Sequence, residues 1–155
     1  MKNYILLFLF SMVFLCHTNI AFCSDSVCED TTIIEADKVK EYDGFIHYNG
    51  NVIVTNGNVT IKGSTLSKKI KNSTNMEPLY MEQVTFSILK KESIVNGDTN
   101  KIIFHIDRCV FDFFGNTVIN IDEIIQKYNT SIRYVLDSNK ITPLLIHIDQ
   151  GVRIH

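Results

Sequence analysis

The stretch YNGNVIVTNGNVTIKG, residues 48–63, holds two alternating runs joined by Asn56-Gly57. Tyr48, Gly50, Val52 and Val54 share one parity. Asn49, Asn51 and Thr55 take the other, with Ile53 as the exception. Val59 and Ile61 then resume the alternation, with Thr60 and Lys62 opposite. Successive side chains leave a pleated strand on opposite faces, so this period of two is that of half-buried strands. Asn-Gly favours positive φ at both central positions of a type I′ turn. The stretch predicts a β-hairpin turning on Asn56-Gly57.

The same period continues outward. Asp43-Gly44 marks an earlier hairpin between KVKEY and FIHY. Val84, Phe86 and Ile88 alternate with Thr85 and Ser87, and Asn96-Gly97-Asp98 is read as the next turn. KIIFHI (residues 101–106) and VFDFFGNTVIN (110–120) are strands joined at Asp107-Arg108. In the second, Phe111, Phe113, Gly115, Thr117 and Ile119 share a face. SIRYVL (131–136) and PLLIHI (143–148) follow, split by the turn DSNK, and residues 152–154 form a last strand. Only IDEIIQKY (121–128) has helical character. Eight residues are too few for a free-standing helix, and a strand or bulge is expected there. Residues 68–78 are polar and are read as the one longer loop. The expected class is all-β and antiparallel.

HYNGNVIV and DFFGNTVI superpose, with Tyr48 on Phe113, Gly50 on Gly115, Asn51 on Asn116 and Val54 on Ile119; upstream, Asp37 falls on Asp98. A repeated strand unit of this size cannot cover its own apolar face and must share a core with its copy. A Gly inside a strand marks a bend or a close approach of backbone.

Ile34-Glu35-Ala36-Asp37, then Gly50-Asn51-Val52-Ile53-Val54, then Ile61-Lys62-Gly63 resemble the OstA-like repeat of the LptA family of periplasmic lipopolysaccharide-transport proteins. The resemblance spans residues 32–155, closely in the first half and more loosely in the second. Lys127-Tyr128-Asn129-Thr130 stands where the family has Lys-Gly-Asp-Lys. The resemblance implies an antiparallel OstA-like β-jellyroll with open ends, built from repeated strand units. It implies a bridge carrying lipopolysaccharide from inner to outer membrane, with the lipid A acyl chains between two layers. It also implies head-to-tail self-association and partnership with inner-membrane LptC-like and outer-membrane LptD-like jellyroll domains.

Residues 1–23 read as a signal peptide. Met1-Lys2 is a positive start, and the apolar run that follows is well short of the roughly 20 residues of a membrane span. Ala21-Phe22-Cys23 places small residues for cleavage between Cys23 and Ser24. Residues 24–31 are expected to be a flexible lead-in and 32–155 the jellyroll domain. Of the four cysteines, Cys28 and Cys109 remain after cleavage. An oxidising compartment would allow them to pair. The polar surroundings of Cys28 favour two unconnected thiols instead.

The net charge of −2 argues against a nucleic-acid partner, whose phosphates call for a basic face. There is no CxxC or HExxH spacing, and no cofactor or metal is expected. No carboxylate pair or nucleophile–base spacing points to an enzyme. His47, His105 and His147 have parity opposite to their apolar neighbours and are expected to face solvent.

Parity gives the candidate lipid-binding residues: Ile34, Ala36, Ile46, Tyr48, Val52, Val54, Phe86, Ile88, Phe104, Ile106, Phe111 and Phe113. Any two-layered β-fold has such a face, so each of these is equally a core position. The alternatives to a soluble carrier are an inner-membrane-anchored, LptC-like relative and an unrelated secreted carbohydrate-binding or hydrolytic β-sandwich. N-terminal sequencing of the mature protein is expected to begin at Ser24 in a soluble periplasmic fraction; an intact Met1 in membranes would select the anchored relative.

Overall fold

A computed structural model describes residues 27–70 and 77–144. The described chain forms β1 (Thr32–Glu35), β2 (Lys38–Tyr42), β3 (Phe45–Asn56), β4 (Val59–Lys69), β5 (Leu79–Leu89) and β6 (Ile94–His105). A 3-10 turn (Ile106–Arg108) leads to β7 (Val110–Ile121), β8 (Ile124–Tyr128), β9 (Ile132–Val135) and β10 (Lys140–Pro143). Every pairing is antiparallel. β3 to β7 lie side by side in chain order. β1 and β2 follow one another along the free side of β3, β8 and β9 do the same along β7, and β10 lies beyond β9. The sheet does not close on itself.

The long strands break their period at one common level. On β3, Asn49 pairs with Thr65 but Val52 pairs with Gly63, so Gly50-Asn51 is a bulge. On β7, Phe114 pairs with Lys101 and Thr117 with Thr99, which makes Gly115-Asn116 the matching bulge. Between them, β5 buries Leu79 and Met81, passes Gln83 at φ +51°, and then buries Val84, Phe86 and Ile88. β6 buries Val95 and Thr99, then Ile102 and Phe104. Shifting parity at the break keeps the apolar set on one side of a bent strand, which is how strands cross from one layer of a sandwich to the other.

Ring contacts measure the bend. Phe86 pairs with Gly97 of β6, and Phe113 pairs with Ile102. Those two levels are roughly 17 Å apart along a straight strand. The two rings nevertheless lie with centroids 5.0 Å apart. The sheet is therefore doubled over along a crease, forming two layers. The first holds β1, β8 and the stretches 52–56, 59–63, 84–89, 94–99 and 117–121. The second holds β2, β9, β10 and the stretches 45–49, 65–69, 79–82, 101–105 and 110–114.

The crease explains the repeated Gly-Asn. Gly50 and Gly115 have φ of +76° and +87°. A Cβ on Gly50 would lie 2.6 Å from Asp37 Oδ2. Asp37 caps this bulge: its N–H donates to the Gly50 carbonyl at 3.0 Å, and its carboxylate accepts from Asn51 Nδ2 at 2.9 Å. At the second bulge the Asn116 N–H donates to Asn100 Oδ1 at 3.0 Å. The counterpart of Asp37 is thus Asn100, two residues beyond the Asp98 read from the repeat.

Three turn readings are corrected. Asp43 and Gly44 both have positive φ, as a type I′ turn needs, but at the second hairpin the loop is Gly57-Asn58, with positive φ at Gly57 alone. Asn56 ends β3 instead, because its buried side chain is taken up by the N-terminal segment. Asn96-Gly97-Asp98 is no turn: β6 runs straight through it, and the chain turns at residues 90–93. Gly97 is there for space, since a Cβ would come within 2.7 Å of Phe86 Cζ. The loop at 68–78 is shorter than expected, because β4 reaches Lys69; residues 71–76 lie outside the described residues. Of residues 121–128, Ile121 ends β7, Asp122-Glu123 turn at positive φ, and Ile124–Tyr128 form the expected strand, β8. The PLLIHI strand is displaced to β10, Lys140–Pro143, and its remainder lies outside the described residues.

The described part of the lead-in, residues 27–31, is fastened, not flexible. Cys28 and Cys109 form a disulfide, correcting the reading of two unconnected thiols. The polar segment becomes ordered because Asn56 supplies its missing partners. Asn56 Oδ1 accepts the Glu29 N–H at 3.0 Å, and Nδ2 donates to the carbonyls of Glu29 and Thr31 at 2.6 and 3.0 Å. Val27 is buried; its carbonyl accepts from Asn58 N at 3.1 Å.

Gly50→Val places a β-branched residue at positive φ against Asp37 and should lower stability by about 2–3 kcal/mol. Gly44→Asn, at an open turn with no atom within 4 Å of the added Cβ, should cost less than about 1 kcal/mol. Urea midpoints of the two variants check this; equal midpoints would mean that the bulge is not a fixed point of the fold.

Candidate lipid-binding interior

The facing sides of the two layers enclose one apolar cluster. From the first layer come Val52, Val54, Ile61, Phe86, Ile88 and Ile119. From the second come Leu66, Met81, Ile102, Phe104, Phe111, Phe113 and Tyr134. Phe111 is the hub of the aromatic part, set edge-on to Phe86, Phe104 and Phe113 at centroid distances of 5.7, 4.9 and 5.5 Å. Edge-to-face rings at these distances pack with favourable quadrupoles as well as apolar area.

The candidate residues divide into two groups. Val52, Val54, Phe86, Ile88, Phe104, Ile106, Phe111 and Phe113 are all buried and form packed core. Ile34, Ala36, Ile46 and Tyr48 are only half-buried. They sit towards the β1–β2 side, Ile34 on β1, Ala36 between β1 and β2, and Ile46 and Tyr48 on β3. Val39, paired with Tyr48, is 57 % exposed there although it is inward-facing. The interior is closed at its aromatic centre and uncovered at this end.

Sequence reasoning missed Val39 and Leu66. Val39 was within reach: a two-residue turn at Asp43-Gly44 fixes Tyr42 opposite Phe45, and counting back puts Val39 opposite Tyr48. Leu66 was not. Counting from the Asn56–Val59 pair sets Ser67 opposite Tyr48, and only the Gly50-Asn51 bulge moves Leu66 there.

The edge opposite the crease is held by two clasps. One is the Cys28–Cys109 disulfide with the Val27 N–H donating to Asp137 Oδ1 at 3.2 Å. It joins the β3–β4 turn to the β6–β7 and β9–β10 turns. The other is Lys90, whose ammonium donates to the Leu136 carbonyl and Asn139 Oδ1 and lies 5.7 Å from the centre of the Tyr134 ring. Burial lowers the Lys90 pKa, against the opposing pull of Asp137.

On the outer face of the second layer Asp112 is 4 % exposed. It accepts both Arg133 Nε and an Arg133 terminal nitrogen at 2.7 Å, and pairs with His105 Nε2 at 3.0 Å. Arg108 donates to His105 Nδ1 at 2.8 Å. Burial works to raise the Asp112 pKa, but the bonds from Arg133 and His105 outweigh it and hold it below the ordinary value of 3.8. His47 and His105 do lie on the outer face, as parity required. They are not free in solvent: the His105 side chain is 13 % exposed, and His47 stacks on Tyr42 at 4.0 Å. His147, Cys23 and Ser24 lie outside the described residues. Among the described residues no three His, Cys, Asp or Glu side chains converge as a metal site.

No protein-family model and no curated protein matches this chain. Among solved structures, the fold matches that of LptH from Pseudomonas aeruginosa, the LptA-homologous periplasmic component of the lipopolysaccharide transport device. The TM-score is 0.64 and the identity 14 %, over 81 % of this chain and 90 % of that one. The antiparallel, unclosed jellyroll is thus the fold of an LptA homologue.

Because the folded pKa of Asp112 is depressed, its stabilisation is present above the unfolded carboxylate pKa and is lost as pH falls through the folded one. Asp112→Asn should cost about 2 kcal/mol at neutral pH and less at a pH below the ordinary carboxylate value of 3.8. Urea unfolding at both values checks this; a deficit independent of pH would mean that the carboxylate charge contributes nothing.

Proposed function

We propose that this chain is a periplasmic lipopolysaccharide carrier. It takes acyl chains between its two layers and forms part of a bridge from inner to outer membrane. The observation that carries this reading is the uneven cover of one continuous apolar face. That face passes from the aromatic centre to the half-buried Tyr48 and its register partner Val39, which is 57 % exposed. An acyl chain entering at that end would meet apolar surface throughout, and burying it there removes hydrocarbon from water without desolvating a charge. The likeness of the fold to LptH supports the reading.

The sheet edges support the bridge. Among the described residues β1 and β2 pair only with β3, β8 only with β7, and β10 only with β9. Unpaired strand edges template further strands, which is a hazard unless a partner is meant to dock. Edge addition would join copies head to tail, and would join them to LptC-like and LptD-like jellyroll domains. The role is carriage, not catalysis.

Photo-crosslinkers at Val39 and Tyr48 are expected to capture lipopolysaccharide, and one at Ser87, on the outer face of the first layer, is not. Tyr48→Asp should weaken binding at least about tenfold, because a charge there would be desolvated by the chain, while the half-buried position leaves the fold intact. Capture at Ser87 and not at Tyr48, or no capture by a folded protein, would overturn the carrier reading.

A further inference from the structure

The outer face of the second layer carries a groove of about 520 Å³ across β3 to β7, within the usual range of small-ligand sites. Its floor is apolar where a solvent-facing sheet is ordinarily polar. Tyr80 is paired with Ile103, and Phe114 with Lys101. Tyr80 is 44 % exposed. Asn49, Thr65, Glu82 and Lys101, successive register partners on β3 to β6, form one polar row along it. Glu82 and Lys101 are bonded at 2.9 Å with both side chains more than half exposed.

Among the described residues, the Asn49 amide, the Thr65 hydroxyl and the Tyr80 phenol have no hydrogen-bond partner. His47, which also lines the groove, bonds Ser67 through Nδ1, but its Nε2 is shut off from solvent without a partner. From these observations we infer that the groove is a binding site for an uncharged oligosaccharide, a function separate from lipid carriage.

The chemistry selects that class. The C–H face of a pyranose stacks on an exposed aromatic ring, and its hydroxyls need donors and acceptors side by side. Asn49 and Thr65 each supply both. Lys101 donates and Glu82 accepts, and their charges cancel, so the groove does not favour an anion. An extended peptide would require free backbone N–H and C=O groups. Here the five strands beneath the groove are paired to one another, and only side chains face outward. The span of four inter-strand spacings, about 19 Å, accommodates two or three linked sugar rings.

Two uncharged probes test this against the ¹⁵N-labelled full chain: chitotetraose and maltotetraose. Saturable shift changes centred on Asn49, Thr65, Tyr80 and Lys101 are expected with at least one. Response to chitotetraose alone would identify an N-acetylated glycan, and response to maltotetraose alone a neutral glucan. Tyr80→Ala should weaken binding roughly tenfold, Tyr80→Phe should retain it, and Glu82→Gln should weaken it without altering the circular dichroism. No shift change with any probe, or changes confined to the interior, would overturn the proposal.

Discussion

The fold depends on one backbone constraint, the level at which β4, β5 and β6 change parity while β3 and β7 carry a Gly-Asn bulge. A flat sheet with this sequence would leave an apolar face in water, because the described chain supplies no helix and no second sheet to cover it. Creasing the sheet lets that face cover itself. The cost is local: two glycines, Asn51 and Gln83 at positive φ, and Asp37 and Asn100 committed to capping the bulges. What is gained is the contact of Phe86 with Phe113 and the burial of most apolar side chains of β3 to β7.

A doubled sheet differs from a sandwich of two independent sheets. Its layers are covalently continuous through five strands at the crease and otherwise free to part. The opposite edge is where the disulfide, the Val27–Asp137 bond and Lys90 sit. The described layers are joined on two sides, and the inner face is exposed at Val39 on β2. Packing and access thus follow from one geometry. Full cover gives core at Phe111, and incomplete cover gives an exposed inner face at Val39.

Local pattern carried much of this, but not the parts set by distant chain. Of the twelve candidate residues eight are buried and four half-buried, and Asp43-Gly44 was legible as a type I′ turn from its own two residues. Asn56-Gly57 misled by one residue, since the Asn56 amide serves the Glu29 backbone 27 positions away. Asn96-Gly97 resembled a turn only until Phe86, across the strand pair, was seen to need the room. Cys28 looked solitary because its partner is 81 residues off, and no local signal reports such a pairing. Whether an inward residue is core or lining depends on what lies above it. Periodicity is silent on that, and the division between Tyr48 and Phe113, equivalent in the repeat, is visible only once the layers are in place.

That long separation also bears on how the chain is made. Synthesis runs from the N-terminus, so Cys28 exists for the time needed to make 81 further residues before Cys109 does. Its oxidation is then a ruler of progress. A chain halted before the end of β6 can only stay reduced or take a wrong partner, while a bonded Cys28 certifies that the strands between have been delivered. Because the link joins distant parts of the sequence, its loop closure comes late and slowly. A cell could therefore tell chains that have passed β6 from shorter fragments by thiol chemistry alone.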